Sequence, residues 1–176
     1  DIATRAQLNA ENVQDSSLGL NGNLEANLGI DLDGNLSGRG TAEFDDLGWI
    51  TAFVPELRDV SGELETTVSI SGTLQEPLIA GDLAINRGEF LVDRAGVTYS
   101  DFELQLSSES GGNATLEGSV GSGEGFATFT GEATNLNSEN WRVNADLQGE
   151  GFPLAYLPDL VLEVTPELSL NADPSQ

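Results

Sequence analysis

From Leu18 to Phe44 every even-numbered position is apolar or glycine. The series reads Leu18, Leu20, Gly22, Leu24, Ala26, Leu28, Ile30, Leu32, Gly34, Leu36, Gly38, Gly40, Ala42 and Phe44, and no odd position between them bears an apolar side chain. A period of two belongs to extended chain with one apolar and one wet face. The stretch is much longer than an ordinary strand of about 5–6 residues. It must therefore contain turns that return the chain to the same face.

Facing residues of an antiparallel hairpin share a face, so turn length can be tested against the pattern. A three-residue loop around Asp33-Gly34-Asn35 predicts Leu32 opposite Leu36 and Ile30 opposite Gly38. Farther on, Leu64, Val68, Ile70 and Leu74 are even, whereas Ile79, Gly81, Leu83 and Ile85 are odd. A four-residue loop, Gln75-Glu76-Pro77-Leu78, absorbs that change and predicts the pairs Leu74–Ile79, Ile70–Leu83 and Val68–Ile85. Phe102, Leu104 and Leu106 then face Val120, Gly118 and Leu116. Leu116 faces Phe129 across Gly121-Ser122-Gly123-Glu124, and Phe129 faces Ala145. The chain reads as a long antiparallel meander with one continuous apolar face.

Two stretches break the alternation. Leu47, Ile50, Phe53 and Val54 fall at helical spacing behind Asp45 and Asp46 and before Pro55, which predicts one short amphipathic helix over 45–54. Pro153 and Pro158 predict an irregular segment over 149–159. Alternation resumes at Leu160, Leu162, Val164, Leu168 and Leu170, and 172–176 read as a flexible tail.

Composition narrows the chemistry. The 176 residues include no cysteine, histidine or methionine. The chain reads as an excised fragment, a single piece (1–176) of a larger repeating domain. The commonest general base, metal ligand and strong nucleophile are absent, and no apolar run reaches the roughly 18 residues of a membrane helix. A net charge of −24, from 30 acidic and 6 basic residues, repels nucleic acid and anionic membrane surfaces. Asp31-Leu32-Asp33-Gly34-Asn35 lacks the further ligands and closing Glu of a calcium loop and reads as a hairpin turn. Ser107, Ser108 and Ser110 have no base to activate them, and Asp93-Arg94 reads as a surface pair. Trp49 and Trp141 read as packed edge aromatics. No catalytic residue, cofactor or metal site is expected, and the chain is not expected to be an enzyme.

The apolar face is the remaining candidate. Its lining is Leu24, Leu28, Ile30, Leu32, Leu36, Phe44, Leu64, Val68, Ile70, Leu74, Ile79, Leu83, Ile85, Phe102, Leu104, Leu106, Leu116, Val120, Phe129, Val143 and Leu147. With only one helix for cover, such a face can close as a dry sandwich, close as a barrel, or stay open as a curled trough. Glycines on the inner set (Gly22, Gly34, Gly38, Gly40, Gly72, Gly81, Gly118, Gly131) favour strong curling.

The stretch Val60-Ser61-Gly62-Glu63-Leu64, then Val68-Ser69-Ile70-Ser71-Gly72-Thr73-Leu74-Gln75-Glu76-Pro77-Leu78-Ile79-Ala80-Gly81-Asp82-Leu83 and Arg87-Gly88-Glu89-Phe90, resembles the recurring hairpin of the TamB and AsmA-like families. Gly96-Val97-Thr98-Tyr99-Ser100-Asp101-Phe102 resembles its continuation. The resemblance implies the periplasmic part of an inner-membrane-anchored protein of diderm bacteria, shaped as a curled β-groove. It also implies an outer-membrane barrel partner, TamA-like, in a translocation and assembly module.

The expected fold is therefore all-β: a curled antiparallel meander forming an open trough (a β-taco) with an apolar inner face and one short helix. The expected function is a non-catalytic conduit for phospholipid acyl chains between the two membranes. A chaperone-like groove for outer-membrane protein or autotransporter strands is the alternative, and a structural β-sandwich stalk is a second. Phospholipid or outer-membrane protein segments are the expected cargo; nucleic acid is not a partner, and the fragment carries no membrane span.

Overall fold

The computed structural model describes the backbone of residues 4–15 and 20–174 and side chains from residue 22 onward. Its strands are β1 (Thr4–Asp15), β2 (Leu20–Ile30), β3 (Leu36–Phe44), β4 (Leu57–Gly72), β5 (Pro77–Val92), β6 (Val97–Ser108), β7 (Ala114–Ser122), β8 (Gly125–Thr134), β9 (Arg142–Glu150), β10 (Phe152–Leu157), β11 (Leu160–Val164) and β12 (Glu167–Ala172). Strands β1 to β9 follow one another in a single sheet, with β12 beside β9. Each neighbouring pair is antiparallel. β10 and β11 pair only with each other. The edge strands β1 and β12 do not meet, so the sheet is an open all-β trough rather than a barrel. Of the opening alternation, the Leu18 and Leu20 side chains lie outside the described residues, as do Ser175 and Gln176 of the tail.

Turn chemistry corrects several registers while keeping every face. Ile30 pairs with Leu36 and Leu28 with Gly38, two residues from expectation. The Asp31 carboxylate explains the shift. It accepts from the backbone N–H of Asp33 (2.9 Å) and Asn35 (2.8 Å) and from the Asn35 amide (2.8 Å). The loop is thus Leu32-Asp33-Gly34, with Gly34 left-handed at φ +82 as such turns require, and these bonds hold the Asp31 carboxyl below its usual pKa.

Between β4 and β5 the loop is Thr73-Leu74-Gln75-Glu76, closed by Thr73 N–H donating to Glu76 O (3.1 Å). Ile70 therefore meets Ile79, Val68 meets Gly81 and Leu64 meets Ile85. Leu104–Gly118 and Leu106–Leu116 pair as the pattern predicts, but Phe102 lies in a bulge and has no partner at Val120. Phe129 sits opposite Gly118 and Leu147 rather than Leu116 and Ala145. A Cβ on Gly118 would lie 2.4 Å from the Phe129 ring and 2.5 Å from Glu103 O, so the missing side chain makes room for both the ring and the neighbouring backbone.

Three neighbouring strands bulge along one line. Pairing shifts between Arg58 and Glu63 in β4, between Ile85 and Phe90 in β5, and between Ser100 and Glu103 in β6. Asp59, Arg87 and Asp101 take left-handed φ of 51, 52 and 50 there. Bulges bend and twist a strand, so three in line bend the sheet along a crease. At this crease Arg87 bridges its neighbours: its guanidinium pairs with Glu63 of β4, and its N–H donates to the Glu103 carboxylate of β6 (3.3 Å).

The two interruptions also differ from expectation. In place of a helix over 45–54 there is a single 3-10 turn, Gly48–Ala52. Its start is fixed by the Asp46 carboxylate accepting from Gly48 N–H (2.6 Å). So short a segment gains too few bonds to offset helix nucleation. Of the apolar set expected to form a stripe, Leu47 is buried while Phe53 and Val54 stay exposed. The segment over 149–159 is not irregular: it holds the end of β9 and then β10, which pairs with β11 about a tight turn at Pro158-Asp159. The tail is strand as far as Ala172.

The seat at Gly118 predicts that Gly118→Ala costs about 1–3 kcal/mol through overpacking. Gly40, where the nearest atoms to a new Cβ lie at 3.6 and 3.9 Å, should accept Ala within about 0.5 kcal/mol. Urea denaturation distinguishes the two, and equal costs would refute the Phe129–Gly118 packing.

Candidate apolar groove

Pairing across the sheet aligns the inner side chains in rows. One row runs Phe44, Leu64, Ile85, Leu104, Gly118, Phe129, Leu147 and Leu168. The next runs Leu24, Ala42, Thr66, Leu83, Leu106, Leu116, Gly131, Ala145 and Leu170. Beyond them lie Val68 opposite Gly81, Ile70 opposite Ile79, and Leu28 opposite Gly38.

Of the residues expected to line a groove, Leu36 is buried, and Leu24, Ile30, Phe44, Leu64, Ile70, Leu83, Ile85, Phe102, Leu104, Leu116, Val120, Phe129, Val143 and Leu147 are half-buried. Leu28, Val68, Ile79 and Leu106 are on the same face but exposed, at 41%, 44%, 57% and 38%. Leu32 and Leu74 are corrected: both sit at turn tips, because the loops close around them rather than beside them.

Segments outside the main sheet add cover at one rim, although Leu36 beside the turn at the other rim is also buried. Alternate turns of a meander fall on the same side, so the segments between β3 and β4, β5 and β6, β7 and β8, and β9 and β12 share a rim. The 3-10 turn packs there against β4, with Leu47 only 2% exposed and Trp49 between Phe44 (5.6 Å) and Phe53 (6.0 Å). The β10–β11 hairpin folds back over β6, β7 and β8. Phe152 stacks on Tyr99 at 5.3 Å, the Tyr99 hydroxyl donates to the buried Pro153 O (2.9 Å), and Tyr156 N–H donates to Ala95 O (2.7 Å). Pro153 sits at the irregularity in the β10–β11 pairing, a position where a residue without an N–H is tolerated. Under the hairpin Val97 and Ala127 are 1% and 2% exposed. Rings continue inward from Phe90 to Phe102 (5.9 Å) and Phe102 to Phe129 (6.3 Å).

This aromatic floor was missed by the sequence pattern, although a signal for it exists. The inner set in β5 changes from odd (Leu83, Ile85) to even (Gly88, Phe90, Val92), and in β6 from odd (Val97, Tyr99) to even (Phe102, Leu104). Such a change within one strand marks a bulge.

The wet face carries the remaining chemistry. A coiled sheet is hollow on each face along a different diagonal. Across β4 to β9 the polar face holds a hollow of about 710 Å³ whose lining includes Glu65, Asp82, Glu117, Glu132 and Asp146. Its threonines, serines and carboxylates are solvated, and no trio of acids is placed to hold a metal among the described residues. Asp93 pairs with Arg58 at 3.2 Å. No helix among the described residues is long and apolar enough to cross a membrane.

No protein-family model matches the chain, and no solved structure matches it. Over 117 residues it is 25% identical to the translocation and assembly module subunit TamB of Haemophilus influenzae (strain ATCC 51907 / DSM 11121 / KW20 / Rd), covering 66% of this chain and 9% of that protein. The similarity supports a TamB-like relationship.

The difference between rims can be measured. Val68→Arg places its charge where water already reaches and should cost about 1 kcal/mol, whereas Ala127→Arg buries it and should cost several. Similar unfolding midpoints would show that the face is covered evenly. Burial also raises the Tyr99 pKa above its ordinary 10.0. The folded chain then keeps a proton that the unfolded chain loses, so stability is level below pH 10 and falls above it. Tyr99→Phe should cost about 1 kcal/mol at pH 7 and reduce that alkaline loss. Urea titrations on both sides of pH 10 check the sign.

Proposed function

We propose that this chain is a non-catalytic section of a TamB-like groove that carries the acyl chains of phospholipid across the periplasm. One observation carries the reading. The inner face is apolar from strand to strand, yet Leu28, Val68, Ile79 and Leu106 are left open to solvent on one side. An acyl chain in water needs a continuous apolar lining, with its head group free to stay hydrated. Ladder bonds satisfy the backbone, so the lining offers side-chain carbon rather than unpaired amides. The stalk reading fits less well, because a sandwich module buries its inner face at close-packed density.

The chain spans about a tenth of the length of the relative it matches. Anchorage in the inner membrane, a TamA-like outer-membrane partner and a place in a translocation and assembly module belong to this proposal. A second reading, a chaperone-like groove for outer-membrane protein strands, is favoured by the free edge of β12. There Leu168 and Leu170 are exposed on the inner face, and an extended peptide could add to the ladder.

Photo-crosslinking side chains at Leu28, Val68 and Leu106 should capture co-purifying lipid, whereas those at Asn27, Ser69 and Gln105 on the wet face should not. Mass spectrometry of the adducts reads the outcome. Crosslinks only within the chain would overturn the conduit, and outer-membrane polypeptide without lipid would install the second reading.

A further inference from the structure

The open rim has a charge pattern that the apolar groove does not require. The turns between β2 and β3 (31–35), β4 and β5 (73–76), β6 and β7 (109–113) and β8 and β9 (135–141) lie on this side, together with the residue after β12. They carry Asp31, Asp33, Glu76, Glu109, Glu139 and Asp173, and no arginine. The nearest cations are on the strands: Arg5 lies opposite Gly29, and Arg39 and Arg142 alternate with the inner residues, so those two serve the wet face.

These loops are also held in place. Leu74 N–H donates to Gly34 O (3.2 Å), joining the first two, and Leu136 N–H donates to Gly112 O (2.8 Å), joining the last two. Neighbouring turns on one rim stand about 10 Å apart, two strand spacings. That is within a Debye length at 0.1 M salt, also about 10 Å. The opposite rim is closed by the 3-10 turn and the β10–β11 hairpin. A lipid whose acyl chain lies against Val68, Ile79 and Leu106 must therefore hold its head group over the acidic loops.

We propose that this rim selects phospholipids with net-neutral, amine-bearing head groups and disfavours anionic ones; the inference rests on the groove reading above. The amine of a zwitterionic head group meets carboxylates, and its phosphate can turn outward. An anionic head group has no compensating charge. Three carboxylates about 10 Å from one extra negative charge give roughly five- to tenfold discrimination in water without screening.

The test uses the purified chain and two fluorescent lipids of identical acyl chains, phosphatidylethanolamine and phosphatidylglycerol, offered from nonionic micelles. At about 0.01 M salt, where the Debye length is about 30 Å, the ethanolamine lipid should bind roughly four- to fivefold tighter, and at about 1 M the ratio should approach one, because the Debye length falls to about 3 Å. Combining Asp33→Lys, Glu76→Lys and Glu139→Lys leaves three carboxylates against three ammonium groups on the rim and should abolish the preference at low salt; the salt series on the parent chain decides the matter if that variant does not fold. Equal binding of both lipids at low salt, or a ratio indifferent to salt, overturns the selectivity and leaves the groove intact. Binding of neither lipid overturns the groove and the selectivity together.

Discussion

A single sheet with one apolar face must shield that face without a second layer, and most of this molecule answers to that requirement. The ladder satisfies the backbone but does nothing for the leucines and isoleucines projecting from one side. Closing the sheet as a barrel would hide them, yet β1 and β12 stay apart. The trough instead uses curvature and partial cover. Bulges at Asp59, Arg87 and Asp101 bend three strands along one crease, the 3-10 turn buries Leu47, and the β10–β11 hairpin covers Val97 and Ala127.

Partial cover divides the inner face into two environments. At the closed rim, rings pack on rings and on glycines: Tyr99 against Phe152, and Phe129 against Gly118. Such packing is rigid, because aromatic pairs and close backbone contact tolerate little displacement. Toward the open rim the lining turns aliphatic and reaches water at Val68, Ile79 and Leu106. A surface of this kind is stable enough to fold and still has apolar area to offer a guest. The hairpin itself shows the same compromise, since Phe152 and Pro153 are tucked in while Leu154, Leu160 and Leu162 remain exposed.

Charge completes the picture. With 30 acidic and 6 basic residues, the wet face and the open-rim loops keep an otherwise adhesive sheet in solution through self-repulsion. Under the reading proposed above, the same distribution of carboxylates that keeps the sheet in solution also sets the field that a guest in the groove meets. The Asp31 carboxylate caps its turn through Asp33 and Asn35 and adds charge to the rim.

By itself the sequence determined the all-β class, the antiparallel order and the face of almost every side chain. Parity is local: a residue's face depends only on its count along the strand, and a register slip of two leaves it unchanged. This is why Leu28, Val68 and Leu106 were legible as inner-face residues although several pairings were displaced by an even number of residues. Leu32 and Leu74 were misplaced because the loop is set by which groups can close it, Asp31 with Asn35 and Thr73 with Glu76. Only the tertiary structure decided how much of the face is covered. The 3-10 turn and the β10–β11 hairpin act through contacts with strands distant in sequence, such as Tyr99 with Pro153, and an alternating pattern carries no information about which segment returns to lie across it.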